Sequence, residues 1–127
     1  MDLILDTNAL SALLDGDTQI VARTDAADGI FLPVVVIGEY RFGLLQSTRK
    51  ADYERSLART IARSGVLNID QKTATQYAAI RLELKRAGTP IPANDLWIAV
   101  LCRQHAYDLL SRDRHFDRVQ DLQRIGW

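Results

Sequence analysis

Four acidic residues stand where packing alone would not place them. Asp6 directly follows the apolar run Leu3–Leu5, and Asp113 lies just beyond a second run at Leu109 and Leu110. Glu39 and Asp95 each fall near the start of a helical stretch, on a face that is otherwise apolar. A buried carboxylate without a partner is costly, and several sharing one place repel each other and raise their own pKa values, so such a group asks for a cation. Oxygen donors with no Cys or His at matching positions favour Mg²⁺ or Mn²⁺ over Zn²⁺. Ions of that kind, held by a few carboxylates and still partly hydrated, suit phosphoryl chemistry. Each residue also has an ordinary explanation. Asp6 and Thr7 fit a turn, Asp95 in a first helical turn gains up to ~1 kcal/mol from the helix dipole, and Asp113 can cap a short final helix. Glu39 is the hardest to explain by stability alone.

The elements that must position these residues follow from the apolar pattern. Leu3–Leu5 reads as a buried strand, with Asn8 able to cap a helix from Ala9 to Leu14. A second helix from Asp17 or Thr18 to Ala27, closed by Gly29, precedes a short strand at Ile30–Leu32 that Pro33 stops. From Val34 a helix is expected to carry Val35, Val36, Glu39, Phe42 and Gly43 on one face, with Gly38 and Gly43 allowing close approach to a neighbouring backbone. A helix over Ala51–Arg63, with Leu57 and Ile61 inward, ends at Ser64 and Gly65. Val66–Ile69 gives a strand, and a long helix to about Ala87 turns Tyr77, Ile80 and Leu84 to one side before Gly88 ends it. Pro90 and Pro92 keep the next approach extended, Asn94 is a candidate cap, and the helix beyond it aligns Asp95, Ile98, Ala99 and Cys102. Asp108–Ser111 is the last clear strand core, with a short edge strand expected within Leu122–Trp127.

Strands alternating with helices predict one α/β domain over residues 1–127, with about five mostly parallel strands covered on both sides. In such a sheet, strand ends and helix starts meet at one edge, so all four carboxylates can converge there.

The composition, 47% hydrophobic and 25% charged in 127 residues, is that of a folded domain with a real core. The formal net charge is zero, which removes any global attraction for a polyanion and leaves that task to local basic patches. The single cysteine, Cys102, reads as a buried small hydrophobe. No basic segment precedes a long apolar one and no run reaches bilayer length, so a cytoplasmic protein without a membrane partner is expected.

Thr7, Asn8, Asn94 and Ser111 carry short polar groups able to orient a carboxylate or a phosphate oxygen, although each also reads as a cap or turn residue. Asp117 can join the cluster as a looser ligand or pair with Arg114 or Arg118. Arg41, Arg81, Lys85, Arg112, Arg114 and His115 are candidate nucleic-acid backbone contacts, or plain solvated surface. His105 and His115 do not have the spacing of a metal-ligand pair, and no nucleophile stands with a base and an orienter. Phe116 is expected to plug the core beneath Asp113, Trp127 to anchor the tail, and Tyr40 and Trp97 to pack or to form dimer contacts.

Taken together, LDTNALSALL, IGEYRFGL, IPANDLWIAVLC and LLSRDRHFDRV with the final GW resemble the PIN-domain ribonucleases, and among them the VapC-type toxins of bacterial toxin–antitoxin pairs. The resemblance runs nearly end to end. It implies a five-stranded parallel sheet between helices, with Asp6, Glu39, Asp95 and Asp113 as an acidic quartet holding one or two Mg²⁺ or Mn²⁺ ions. It makes Asp117 an extra acidic position, and Asn8, Asn94 and Ser111 polar support. The implied reaction is endonucleolytic hydrolysis of RNA. The implied partners are a small cognate antitoxin that lies across the groove and a second copy of the chain in a homodimer. Ser111 departs from the commoner Thr but keeps the hydroxyl. The neutral charge means that basic rims must come from particular Arg and Lys residues, which a dimer would share. A DNA nuclease or another metal phosphohydrolase would use the same carboxylates, and an inert antitoxin-binding module could carry them around a structural ion.

Overall fold

Leu3, Ile4 and Leu5 have almost no solvent contact because the strand they form, β1 (Asp2–Leu5), is the middle of a five-stranded sheet. A central strand covered on both faces needs a continuous apolar run rather than alternation. The computed structural model describes residues 1–127. After β1 come α1 (Thr7–Leu14), α2 (Thr18–Asp25), β2 (Gly29–Pro33), α3 (Val34–Leu45), α4 (Lys50–Ala62) and β3 (Gly65–Leu67). The second half holds α5 (Gln71–Arg86), α6 (Ala93–His105), β4 (Asp108–Leu110), a 3₁₀ turn (Arg114–Arg118) and β5 (Arg124–Ile125).

The strand order is β3-β2-β1-β4-β5, and every neighbouring pair is parallel. The chain therefore builds outward from β1 to one side and then crosses back to build β4 and β5 on the other. The change of direction lies between β1 and β4, where Ile4 is level with Leu109 and Leu5 with Leu110. In an open parallel sheet the crevice beyond the carboxyl ends of such a strand pair is where ligands sit. Beneath it the core is filled by Leu32, Leu57, Ile80, Ile98, Leu101, Leu109, Leu110 and Phe116, with the free thiol of Cys102 buried among them.

Local chemistry sets the helix ends that matter. The Asp70 side chain accepts from the Thr73 amide while the Thr73 hydroxyl accepts from the Asp70 amide, a reciprocal cap that starts α5. Thr73 also donates to Gln104, tying α5 to the antiparallel α6. Gly88, at φ +71°, ends the first arm of this hairpin as expected. Asp6 caps α1 through the Ala9 amide, so that helix begins at Thr7 and Asn8 lies inside it, exposed. Asn94 is likewise no cap: α6 starts after Pro92, whose fixed φ suits a helix start, and Asn94 is exposed in the first turn.

The face of α3 differs from the pattern expected around Glu39. The buried stripe is Val36, Tyr40 and Leu44, whereas Phe42 points outward at 64% exposure. A stripe through Phe42 would have carried Glu39 into the core, and the observed rotation leaves the carboxylate half-buried at the boundary. A Cβ added at Gly38 or Gly43 would meet nothing within 4 Å, so neither glycine serves a close approach. Gly29 and Gly65 start strands rather than end helices, and both stand against the Phe31 ring.

Candidate metal centre

Asp6 stands one residue beyond β1 and Ser111 one residue beyond β4, so adjacent strands deliver them to the same crevice. The ladder continues to this point, with the Asp6 amide donating to the Leu110 carbonyl and the Ser111 amide to Ile125. The Asp6 carboxylate, 4% exposed, accepts from the Ala9 amide at 2.8 Å and from the Ser111 hydroxyl. Ser111 in turn accepts from the Asp113 amide at 3.0 Å. One buried hydroxyl thus couples two of the acidic residues.

Asp113 starts the 3₁₀ turn and accepts from the His115 amide. Its role as a cap and its place in the acidic cluster are therefore compatible. Phe116 is fully buried beneath it, as expected. Asp95, in the first turn of α6, is half-buried beside Asp113. Glu39 reaches the same edge from α3, where the Thr7 hydroxyl donates to it at 2.9 Å. Burial pushes the Asp6 carboxyl above its ordinary range, with Asp95 and Asp113 adding to the rise and the Ser111 and Ala9 hydrogen bonds opposing it. Asp95 is also raised, first by burial, with Asp113 and Glu39 adding and His115 opposing.

His115 is the residue that sequence reasoning placed outside the cluster. Its Nε2 lies 2.8 Å from Asp95 Oδ2, and its Nδ1 lies 2.8 Å from Asp113 Oδ1. The two-residue step from Asp113, closed by a 3₁₀ turn, swings the ring back over the carboxylates. No periodicity predicts that, because the turn is not part of a repeating element. Although close to Asp95, Nε2 is buried and has no hydrogen-bond partner of acceptable geometry. Asp95, Asp113 and His115 offer ligand atoms all within 4.8 Å of one another. An imidazole with one carboxylate at each ring nitrogen, and with buried Nε2 lacking a hydrogen bond, fits a divalent cation.

Several expected contributors are engaged elsewhere. Asp117 is held by Arg124 through Nε at 2.8 Å and a second nitrogen at 3.0 Å, so both of its oxygens are already partnered by a guanidinium. The strong bidentate pairing draws it from the cluster. Arg124 also donates to the Ser111 carbonyl, bracing the end of β4. Arg41 pairs with Glu54 at 2.7 Å. Arg112 stacks on Trp127 at 4.5 Å and donates to its carbonyl, which gives Trp127 its anchoring contact. Arg81 bonds the Tyr77 hydroxyl, and Tyr77 stacks on Trp97. Lys85 and Arg114 make no ion pair. A groove of about 240 Å³ runs from Glu39 past Ser11, Asp15 and Gly43 to Tyr53.

A family model described as the PIN domain matches residues 3–122. The chain belongs to the PIN-domain family. Among relatives of this PIN domain is Ribonuclease VapC4 of Mycobacterium tuberculosis, 30% identical over 94 residues that cover 72% of each chain. Toxin FitB of Neisseria gonorrhoeae is 30% identical over 121 residues, 87% of each. The structure of VapBC-1 from nontypeable Haemophilus influenzae superposes with a TM-score of 0.87 at 27% identity, covering 100% of this chain and 98% of that one. The fold, the sheet and the VapC-like motifs thus agree. No helix of this PIN domain is long and apolar enough to cross a membrane.

Proposed function

We propose that this PIN domain is a metal-dependent endoribonuclease that hydrolyses RNA phosphodiesters at Asp6, Glu39, Asp95 and Asp113, and that it is the toxin of a pair with a cognate antitoxin. The observation that carries the reading is the gathering of these carboxylates at the β1/β4 crevice, around a hydroxyl that bridges two of them. The residues that would hold Mg²⁺ or Mn²⁺, as one ion or two, are Asp6, Asp95 and Asp113, with Glu39 at the margin. A bound ion of this kind supplies Lewis-acid polarisation of the phosphodiester and activates the attacking water.

The protein's own groups set the geometry. The Ala9 amide and Ser111 hydroxyl fix the Asp6 carboxylate, and Thr7 holds one oxygen of Glu39 while leaving the other free. Preorganised ligands of this kind need little rearrangement when charge develops. Lys85 and Arg114 are free to meet phosphates, and Arg81 presents its cation beside the Tyr77–Trp97 stack. Asn8 and Asn94, exposed in the first turns of α1 and α6 and not capping them, would contact substrate. The groove from Glu39 to Asp15 would receive a basic side chain of the antitoxin. Phe42 and Leu45, both largely exposed on α3, offer apolar area for an antitoxin or for the homodimer.

The test is cleavage of a total cellular RNA pool by purified protein with Mg²⁺ or Mn²⁺, with chelator, and with Asp95→Asn prepared identically. Discrete fragments that need metal and disappear in the variant support the reading. Equal patterns from wild type and a folded, metal-binding variant would overturn it for that pool.

A further inference from the structure

We propose that His115 is a metal ligand in its own right, so that the centre has a nitrogen donor and selects Mn²⁺ over Mg²⁺. The inference rests on the metal-centre reading above and deepens it.

The ring is held on three sides. It lies 4.9 Å from the fully buried Phe116 ring, its backbone amide donates to Asp113, and its Nδ1 faces Asp113 Oδ1 at 2.8 Å. Each ring nitrogen faces a carboxylate oxygen at 2.8 Å, so Nδ1 can be oriented by Asp113 while Nε2 meets a cation shared with Asp95. Metal-ligating histidines have this arrangement, in which the second ring nitrogen is oriented by a carboxylate. Nε2 is the buried ring atom that lacks a hydrogen-bond partner, and its nearest acid, Asp95 Oδ2, is 2.8 Å away. A positive centre belongs between two such atoms, either a proton in the free protein or a metal ion that replaces it. Bonds of about 2.1 Å in octahedral coordination put adjacent donor atoms about 3 Å apart, which matches the observed spacing.

The consequence is selectivity. Mg²⁺ takes oxygen donors and keeps its water, whereas imidazole nitrogen favours first-row transition ions. An all-carboxylate centre would discriminate weakly between Mg²⁺ and Mn²⁺. A centre with His115 would favour Mn²⁺ in binding, independently of any RNA.

The experiment uses the purified full chain, the two metal salts alone as ligands, and pulsed electron paramagnetic resonance of the Mn²⁺-loaded protein. Wild type is expected to show imidazole nitrogen coupling to Mn²⁺. His115→Gln should lose that coupling, and its ratio of Mn²⁺ to Mg²⁺ affinity should fall about tenfold or more. His105→Gln, which changes the only other histidine, should retain both properties. Mn²⁺ binding without nitrogen coupling in wild type would overturn the assignment and leave the carboxylate centre standing. Coupling that disappears with His105 would also overturn it. Absence of binding by either ion would overturn the metal-centre reading together with this one. Because wild type and His105→Gln together decide which histidine ligates, the test survives a His115 variant that fails to fold.

Discussion

Ser111 donates its hydroxyl to Asp6 across 105 positions of sequence, and the two residues close neighbouring strands of the sheet. The same oxygen accepts from the Asp113 amide, so one side chain sets the spacing of two carboxylates. Ser111→Ala leaves a buried carboxylate short of a donor and the Asp113 amide short of an acceptor. We expect a loss of about 1–3 kcal/mol in urea-denaturation stability with chelator present. A loss below about 0.5 kcal/mol would show that the bridge contributes little.

The pH dependence has a defined sign. Burial raises the folded Asp6 and Asp95 carboxyls above the ordinary value of 3.8, so the folded chain takes up these protons at higher pH than the unfolded chain. Stability therefore rises as pH falls through the raised values, and that gain is complete only below the ordinary value of 3.8. In chelator, the Tm should rise as pH is lowered from neutrality towards 3.8, and Asp6→Asn should flatten the rise. Asp70 and Asp117 are shifted downward and act below this window with the opposite sign. A Tm that only falls as pH is lowered from neutrality towards 3.8 in chelator contradicts the assignment.

Opposite swaps at two helix positions should both stabilise. Gly38 lies inside α3, and an added methyl would meet open space, so Gly38→Ala should gain about 0.5–1 kcal/mol. Ala106 ends α6 in the left-handed region at φ 57°, where a Cβ is unfavourable. Ala106→Gly should therefore gain about 0.5–1 kcal/mol. Gly65→Ala is the counter-case, because its Cβ would lie 2.5 Å from the Phe31 ring, and it should destabilise. Thermal denaturation of the three variants checks all three signs.

Asp117 should prove dispensable for metal binding. Both of its oxygens face Arg124 and its side chain is 53% exposed, so Asp117→Asn should leave Mn²⁺ affinity within about twofold and stability within about 1 kcal/mol. Calorimetric titration measures the first quantity. A drop of tenfold or more would return Asp117 to the ligand set.

The buried Cys102 thiol is pushed well above its ordinary range by burial, so it should resist alkylation until the chain unfolds. Iodoacetamide labelling that runs ahead of global unfolding would contradict this.

Much of this architecture was legible in the residues themselves. The Leu3–Leu5 run declared a buried central strand, and the alternation of strands and helices predicted the parallel sheet, because two-sided burial and amphipathic periods are local properties. The local placements of Asp6, Glu39, Asp95 and Asp113 were visible for the same reason. The rotation of α3 was not, since Phe42 and Tyr40 offer similar apolar area and only the neighbouring elements decide which is covered. The caps at Asp6 and Pro92, rather than Asn8 and Asn94, were settled by where strand β1 ends and where the proline-rich approach enters α6. Asp117 and Arg124 are seven residues apart, with β5 turning the guanidinium back, and a sequence pattern cannot measure that return. The same limit hid His115. Its place between Asp95 and Asp113 depends on one 3₁₀ turn meeting the first turn of α6, and contacts between non-repeating elements are set by tertiary packing alone.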